Sequence, residues 1–88
     1  MYAVNRFGNY QCPCCSYFTL GEGRSNTFDI CSVCWWEDDG VQFDLPDMDG
    51  GANSPSLNEA RQGFRRIGAS EERWLSRVRP ALPEEMPD

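Results

Sequence analysis

Apolar residues recur at helical spacing most clearly in the second half of this chain of 88 residues. The apolar positions of the pattern are Leu57, Ala60, Phe64 and Ile67. Residues three and four apart share one side of a helix, so the pattern predicts a helix at about residues 56–67 with one buried face. Ser56 and Glu59 match a capping box at its start, and Gly68 is typical of the position where a helix ends.

A shorter pattern of the same kind predicts a second helix at about residues 71–78. Its apolar positions are Trp74, Leu75 and Val78. Ser70 and the two acids after it suit a first helical turn, and Pro80 ends the helix because proline lacks a backbone N–H. Residues 80–88 are rich in proline and acids and are predicted to form a flexible tail.

Two β-prone runs lie in the first half of the chain, at residues 17–20 and 27–30. Residues 21–26 separate them and contain the Gly, Ser and Asn that favour turns. We therefore predict a β-hairpin that pairs the two runs. Residues 40–53 have neither a helical nor a strand period, and we predict an ordered acidic loop there.

Four of the five cysteines are spaced as two pairs, and they are the candidate metal ligands. They are Cys12, Cys15, Cys31 and Cys34. The C-x2-C-x15-C-x2-C spacing falls within the range expected for structural zinc, because two such turns can bring four thiolates into a tetrahedron. We expect one zinc ion rather than iron, bound by a hairpin within residues 10–39. The ion would hold residues 1–79 together as a single domain, since so short a chain buries little surface.

The residue after each cysteine pair bears on the type of metal site. Ser16 follows the first pair and Trp35 follows the second. This position often needs a positive φ, which a bulky residue tolerates poorly, so we expect the second pair to open a short helical turn through Asp38. The predicted fold is small α+β, with a treble-clef-like or zinc-ribbon metal site, a β-hairpin and two C-terminal helices.

Composition limits the chemistry that the chain can perform. All eight basic residues are arginine, and there is no histidine. A histidine general base, a Cys-His or Ser-His pair and a lysine Schiff base are therefore excluded. We expect that the protein is not an enzyme.

The net charge of −6 arises in residues 1–54, which hold two arginines and eight acids. Such a surface repels the phosphate backbone of nucleic acids and attracts a basic protein surface. The candidate partner-binding residues are Trp35, Trp36, Glu37, Asp38 and Asp39. As an alternative, at least one of the two tryptophans covers the metal site, and the acids are solvated or cap a helix.

The sequence shows no sign of secretion or of a membrane-spanning segment. The N-terminal residues lack a basic stretch followed by an apolar run, and no stretch approaches the roughly 20 apolar residues that span a bilayer. An odd number of cysteines argues against a disulfide scaffold. We expect a cytoplasmic protein with reduced thiols that does not bind membranes.

The motif Cys12-Pro13-Cys14-Cys15 and the segment from Cys31 to Gly40 carry a family resemblance. With them, the chain resembles the cysteine-rich CPCC family of small, mostly bacterial proteins. Further similar segments are residues 50–53, 56–61 and 64–68. Ser16 departs from the family pattern, which usually has glycine there. The resemblance implies a metal-binding fold and no particular biochemical role.

Three functions from different classes stay open. The first is a zinc-stabilised interaction module that binds a basic protein, for example an immunity-type inhibitor of a basic toxin. The second is a rubredoxin-like iron electron carrier, because four thiolates also bind iron. The third is a thiol redox or metal-responsive switch that acts through Cys14, which lies inside the first cysteine pair.

Overall fold

Two strands, two α-helices and two short 3₁₀ segments surround a core that contains the cysteines. The computed structural model describes residues 2–23 and 26–87. The elements are β1 (Tyr10–Gln11), β2 (Phe18–Leu20), α1 (Gly40–Asp44), α2 (Leu57–Ile67) and 3₁₀ segments at Glu72–Trp74 and Pro83–Glu85. Within the described residues, no helix is both long enough and apolar enough to cross a membrane. The small α+β architecture is thus as predicted.

The β-hairpin exists, but its strands are not those predicted. β1 pairs with β2 in antiparallel fashion, with Gln11 opposite Phe18. The run at residues 27–30 does not join that pair, because Ile30 forms an isolated bridge with Glu37 instead. Each cysteine pair reverses the chain within a few residues, so the segments flanking it pair with each other at little entropic cost. Arg24 and Ser25, in the predicted turn, lie outside the described residues.

The predicted acidic loop at residues 40–53 begins with helix α1. Asp39 caps this helix, and its Oδ1 accepts hydrogen bonds from the backbone N–H groups of Val41 (2.9 Å) and Gln42 (3.1 Å). Five helical residues are too few to show a 3.6-residue period, so periodicity did not reveal the helix. The Asp39 cap therefore fixes the position at which helix α1 begins.

Helix α2 begins and ends as predicted. The Ser56 hydroxyl accepts from the Glu59 N–H at 3.1 Å, and the Glu59 carboxylate accepts from the Ser56 N–H at 3.0 Å. Gly68 ends the helix with φ of 81°, a conformation that favours glycine. Leu57 and Ala60 are fully buried and Phe64 is partly buried, so α2 packs against the cysteine-containing core through three of its four predicted positions. The fourth, Ile67, is 38% exposed, so the prediction was wrong at that position.

The predicted second C-terminal helix at residues 71–78 is wrong. Only Glu72–Trp74 is helical, as a single 3₁₀ turn. Two long-range hydrogen bonds hold the ends of the segment against the second cysteine pair: Ser70 N–H donates to Cys34 O (2.8 Å), and Arg79 N–H donates to Ser32 O (3.1 Å). The second bond takes the Arg79 N–H, which a helix extending to that residue would use internally. The residues left between the two anchors are too few for a stable helix on their own.

Residues 80–87 are packed against the rest of the chain and do not form the free tail that was predicted. The Arg79 guanidinium donates to both carboxylate oxygens of Glu85, at 2.7 and 2.8 Å. The Asn5 side chain donates to Glu84 O at 2.7 Å, which ties this segment to the N-terminal residues. Asp88 lies outside the described residues.

Candidate metal centre

The first cysteine pair lies on a tight reversal that we call the first knuckle, residues 12–17. Cys12 N–H donates to Tyr17 O at 2.8 Å, and Ser16 N–H donates to Cys12 O at 2.9 Å. Ser16 has φ of 71°. A glycine would adopt this conformation without strain, whereas an L side chain costs roughly 1 kcal/mol. The knuckle therefore forms despite a local penalty.

The second knuckle, residues 31–36, repeats this backbone. Cys31 N–H donates to Trp36 O at 2.9 Å, Trp35 N–H donates to Cys31 O at 2.7 Å, and Trp35 has φ of 68°. The prediction of a helical turn through Asp38 is wrong, because the same two hydrogen bonds form in both knuckles. The strain at Trp35, of order 1–3 kcal/mol, is overcome by the surrounding structure.

The two knuckles bring the four predicted ligands together. All four Sγ atoms lie within 4.8 Å of one another. Cys12 and Cys34 are 3.7 Å apart, and Cys15 and Cys31 are 3.6 Å apart. Metal–sulfur bonds of about 2.3 Å in a tetrahedron give sulfur–sulfur distances of about 3.8 Å. The cluster therefore has the size and the donor set to hold one metal ion.

The thiols of the cluster influence one another strongly. Burial raises the pKa of Cys12 and of Cys34 well above the usual range. The pKa of Cys31 is lowered far below it, because the neighbouring thiols of Cys12, Cys15 and Cys34 stabilise its thiolate form. The Thr19 hydroxyl also donates to this sulfur, at 2.9 Å. A divalent cation would replace the shared protons and stabilise all four thiolates.

Cys14 lies inside the first knuckle and outside the cluster of four. Its side chain is buried, as is that of each candidate ligand. Next to it, the Pro13 carbonyl accepts a hydrogen bond from Arg61 Nε of helix α2 at 2.9 Å. A redox switch needs a thiol that an oxidant can reach, and burial gives Cys14 little such access.

Three of the five predicted partner-binding side chains are buried, which corrects that part of the interpretation. Trp36 is 1% exposed and packs in the same core as the cysteines, as the alternative reading expected. Asp38 is 0% exposed and accepts from the Tyr2 hydroxyl at 2.6 Å. Asp39 caps α1, so only Trp35 and Glu37 keep side-chain surface for a partner.

The hydrogen bond from Tyr2 is one of several that the buried Asp38 carboxylate accepts close to the second knuckle. Burial and this bond together raise the pKa of Tyr2 far above its usual range. Asp38 also accepts from the N–H and hydroxyl of Thr27, at 2.8 and 2.9 Å. Buried carboxylates need such partners, because an unpaired buried charge is costly. Asp38 therefore stabilises the fold through these hydrogen bonds.

Gln42 and Asn53 form a polar clamp that sequence patterns did not reveal. Gln42 is fully buried, and its Nε2 donates to the carbonyls of Met48 (3.1 Å), Asn53 (3.2 Å) and Pro55 (3.0 Å). Asn53 in turn accepts from Glu37 N–H at 2.9 Å and donates to Glu37 O at 2.7 Å. The clamp fastens residues 40–55 to Glu37, the residue directly after the second knuckle.

The pair Gly50-Gly51 is the sequence feature that could have indicated this clamp, because a glycine can mark a close approach of other groups to the backbone. A Cβ atom on Gly51 would lie 2.7 Å from Asp39 Oδ2 and 2.8 Å from Gln42 Cδ. Asp39 Oδ2 accepts from Ala52 N–H at 2.9 Å. Burial alone would raise the pKa of Asp39, but the N–H groups of Ala52, Gln42 and Val41 lower it below its usual value. Gly51 is thus required by close packing rather than by a turn.

Comparison with known families gives a match over most of the chain. A family model described as Cysteine-rich CPCC matches residues 10–85, which include both knuckles, both α-helices and the packed segment through Glu85. No curated protein sequence matches the chain.

Proposed function

The chain belongs to the cysteine-rich CPCC family, and from that premise we propose that it is a non-enzymatic, zinc-stabilised module that binds a basic protein surface. The burial of all four cysteines supports a structural ion, because a catalytic zinc ion keeps one coordination position open to water or substrate. In this proposal the metal maintains the fold, and the exposed surface carries the function.

The observation that carries the proposal is an exposed patch at helix α1. Val41 and Leu45 are 53% and 55% exposed, and they lie on one side of the helix because Leu45 N–H bonds to Val41 O. The neighbouring exposed acids are Asp44, Asp47 and Asp49. We call these five residues the α1 patch. Apolar residues with a charged rim are typical of protein interfaces, and the negative rim favours a basic partner.

The α1 patch replaces the site that we predicted at residues 35–39, where the central acids are buried. Its chemistry supports the same class of partner and disfavours nucleic acid, since its acids repel phosphates. An immunity-type inhibitor of a basic toxin is one concrete form of this proposal. The α1 patch would then cover the basic, substrate-binding surface of that toxin.

Elemental mass spectrometry on the untagged protein tests the metal, with an absorption spectrum recorded on the same sample. We expect one zinc ion per chain and no visible bands. The second candidate is a rubredoxin-like electron carrier, favoured by the two equivalent knuckles that supply four thiolates. Iron together with thiolate charge-transfer bands would establish that candidate in place of the module.

Affinity capture with paired variants tests the interaction. The double variant Asp44→Asn with Leu45→Ser removes one acid and one exposed apolar side chain from the α1 patch. The matched control, Glu84→Gln with Met86→Ser, makes the same two changes in the C-terminal segment, where both side chains are exposed. We expect a basic protein to be retained by the wild type and the control and lost by the α1 variant. Equal retention by all three proteins would contradict the proposal.

A further inference from the structure

A small cleft lies beside the second knuckle, between two tryptophans. Trp35 and Trp74 have ring centroids 6.3 Å apart and planes inclined by 44°, so the rings form two walls of a V. The cleft has a volume of about 80 Å³, room for one small group. Glu37 and Glu71 contribute to its lining, as do Asn53 and Ile30.

The walls of the cleft are held in place by the fold. Trp74 Nε1 donates to Glu71 Oε2 at 3.0 Å, which orients its indole ring. Asn53 holds the backbone of Glu37, and Ser70 N–H holds the Cys34 carbonyl immediately before Trp35. The cleft is therefore formed before any ligand arrives, which lowers the entropic cost of binding.

The chain itself shows which chemistry this cleft accepts. The guanidinium of Arg73 lies 4.3 Å from the centroid of the Trp74 ring and donates to Glu71 Oε1 at 2.9 Å. Its Nη2 also donates to Ser54 Oγ at 3.5 Å, yet the Arg73 side chain is 56% exposed. Indole faces attract cations, and nearby carboxylates strengthen that attraction.

We propose that this cleft binds one arginine side chain of the basic partner, with Arg73 occupying part of the site until the partner displaces it. The inference rests on the proposed function, because it names the side chain that the partner contributes. The cleft adjoins the segment that bears the α1 patch, since Ala52 and Asn53 line it. In this proposal, a partner that contacts both the α1 patch and this segment places an arginine against Trp35 and Trp74.

The test uses the metal-loaded full-length protein and the peptide acetyl-Gly-Arg-Gly-amide as the probe. The readout is the NMR signals of the three indole N–H groups, assigned with single Trp→Phe variants. We expect saturable shifts for Trp35 and Trp74 and no shift for Trp36, which is buried. The same peptide with neutral citrulline in place of arginine should cause no saturable shift.

Two variants locate the site. Trp35→Gly removes one wall and suits the positive φ at this position, so the fold and the metal content should be retained. It should weaken peptide binding about threefold to fivefold, as expected for loss of a cation–π contact. Arg73→Ala should strengthen binding by a similar factor, whereas Arg77→Ala, an exposed arginine with the same charge, should have a smaller effect.

Failure of the peptide to bind would overturn the inference, and so would any of three results when it does bind. They are equal shifts with the arginine and citrulline peptides, unchanged binding by the metal-loaded Trp35→Gly protein, and equal effects of Arg73→Ala and Arg77→Ala. If the peptide fails to bind while the α1 variant still loses its partner, the cleft inference fails and the proposed function stands. If the peptide binds but no partner depends on the α1 patch, the proposed function fails and the cleft remains a cation site.

Discussion

The two knuckles share a backbone and a pair of cysteines but differ in their other side chains. In each, the first cysteine N–H bonds to a carbonyl five residues later, and the residue after the second cysteine has a positive φ. That residue is an exposed serine in the first knuckle and a partly buried tryptophan in the second. The placement of the cysteines therefore depends on the local backbone. The residue that follows each cysteine pair can differ in size and burial without changing that backbone.

The supports of the two knuckles also differ. One side chain of helix α2, Arg61, bonds to the first knuckle at the Pro13 carbonyl. The second knuckle is held by Ser70 and Arg79 through backbone bonds and by Asn53 through side-chain bonds. More of the C-terminal half therefore depends on the second knuckle, which also carries the cleft.

Loss of a metal ligand should affect both knuckles equally and have the largest effect. We expect Cys12→Ser and Cys31→Ser each to lose the metal and the cooperative thermal transition, because structural zinc supplies about 10–16 kcal/mol in small domains. Circular dichroism melts with and without a chelator, together with metal content, would measure this. Cys14→Ser is the control and should retain the metal. A Cys31→Ser protein that keeps the metal would refute the equivalence of the knuckles.

Loss of the Gln42 clamp should affect the second knuckle more than the first. Gln42→Ala leaves buried partners of its amide unsatisfied, and we expect a destabilisation of about 2–3 kcal/mol. Because Asn53 links the clamp to Glu37, hydrogen exchange should accelerate more at Cys31 N–H than at Cys12 N–H. Equal acceleration at the two amides would show that the clamp acts on the whole domain.

The ion pair between Arg79 and Glu85 should support the second knuckle more weakly. Glu85→Gln should cost about 1 kcal/mol at neutral pH, since the Arg79 side chain is 38% exposed and solvent screens the pair. Hydrogen bonds from Arg79 lower the pKa of Glu85 in the folded state. Its stabilisation is therefore present above the unfolded-state pKa of about 4.3 and is lost as pH falls through the lower folded-state pKa.

Urea unfolding of the wild type and Glu85→Gln from pH 7 down to pH 3 would check this. The difference in unfolding free energy should narrow only towards the acid end. A constant difference across the range would mean that the carboxylate charge is not what stabilises the segment.

The smallest predicted effect concerns the strained position of the first knuckle. Ser16→Gly should stabilise the protein by about 0.5–1 kcal/mol, because glycine adopts a positive φ without steric strain. Ser16→Ala is the control and should give no gain, since it keeps the Cβ atom. At Trp35, glycine should give a smaller net gain, because the contact with Trp74 is lost. Urea unfolding with metal present would rank the three variants.

The features predicted correctly from sequence depend on short-range interactions. The capping box of Ser56 and Glu59 spans three residues, and the ligand spacing of Cys12 and Cys15 spans three as well. Such contacts follow from residue type and spacing alone. The predicted second C-terminal helix does not form, because its ends are held by long-range contacts. Ser70 and Arg79 bond to the distant second knuckle rather than within a helix.

Residue type and spacing were enough to predict the cluster of four cysteines, helix α2 and the negative charge of the first 54 residues. Tertiary contacts were needed to show that Trp36 is buried while Trp35 is only partly buried, and that Asp38 and Gln42 lie in the core. Whether one of two adjacent, similar residues is buried depends on partners far along the chain, as when the Tyr2 hydroxyl donates to Asp38. Burial of a polar group depends on whether the fold supplies a hydrogen-bond partner, and local sequence does not contain that information.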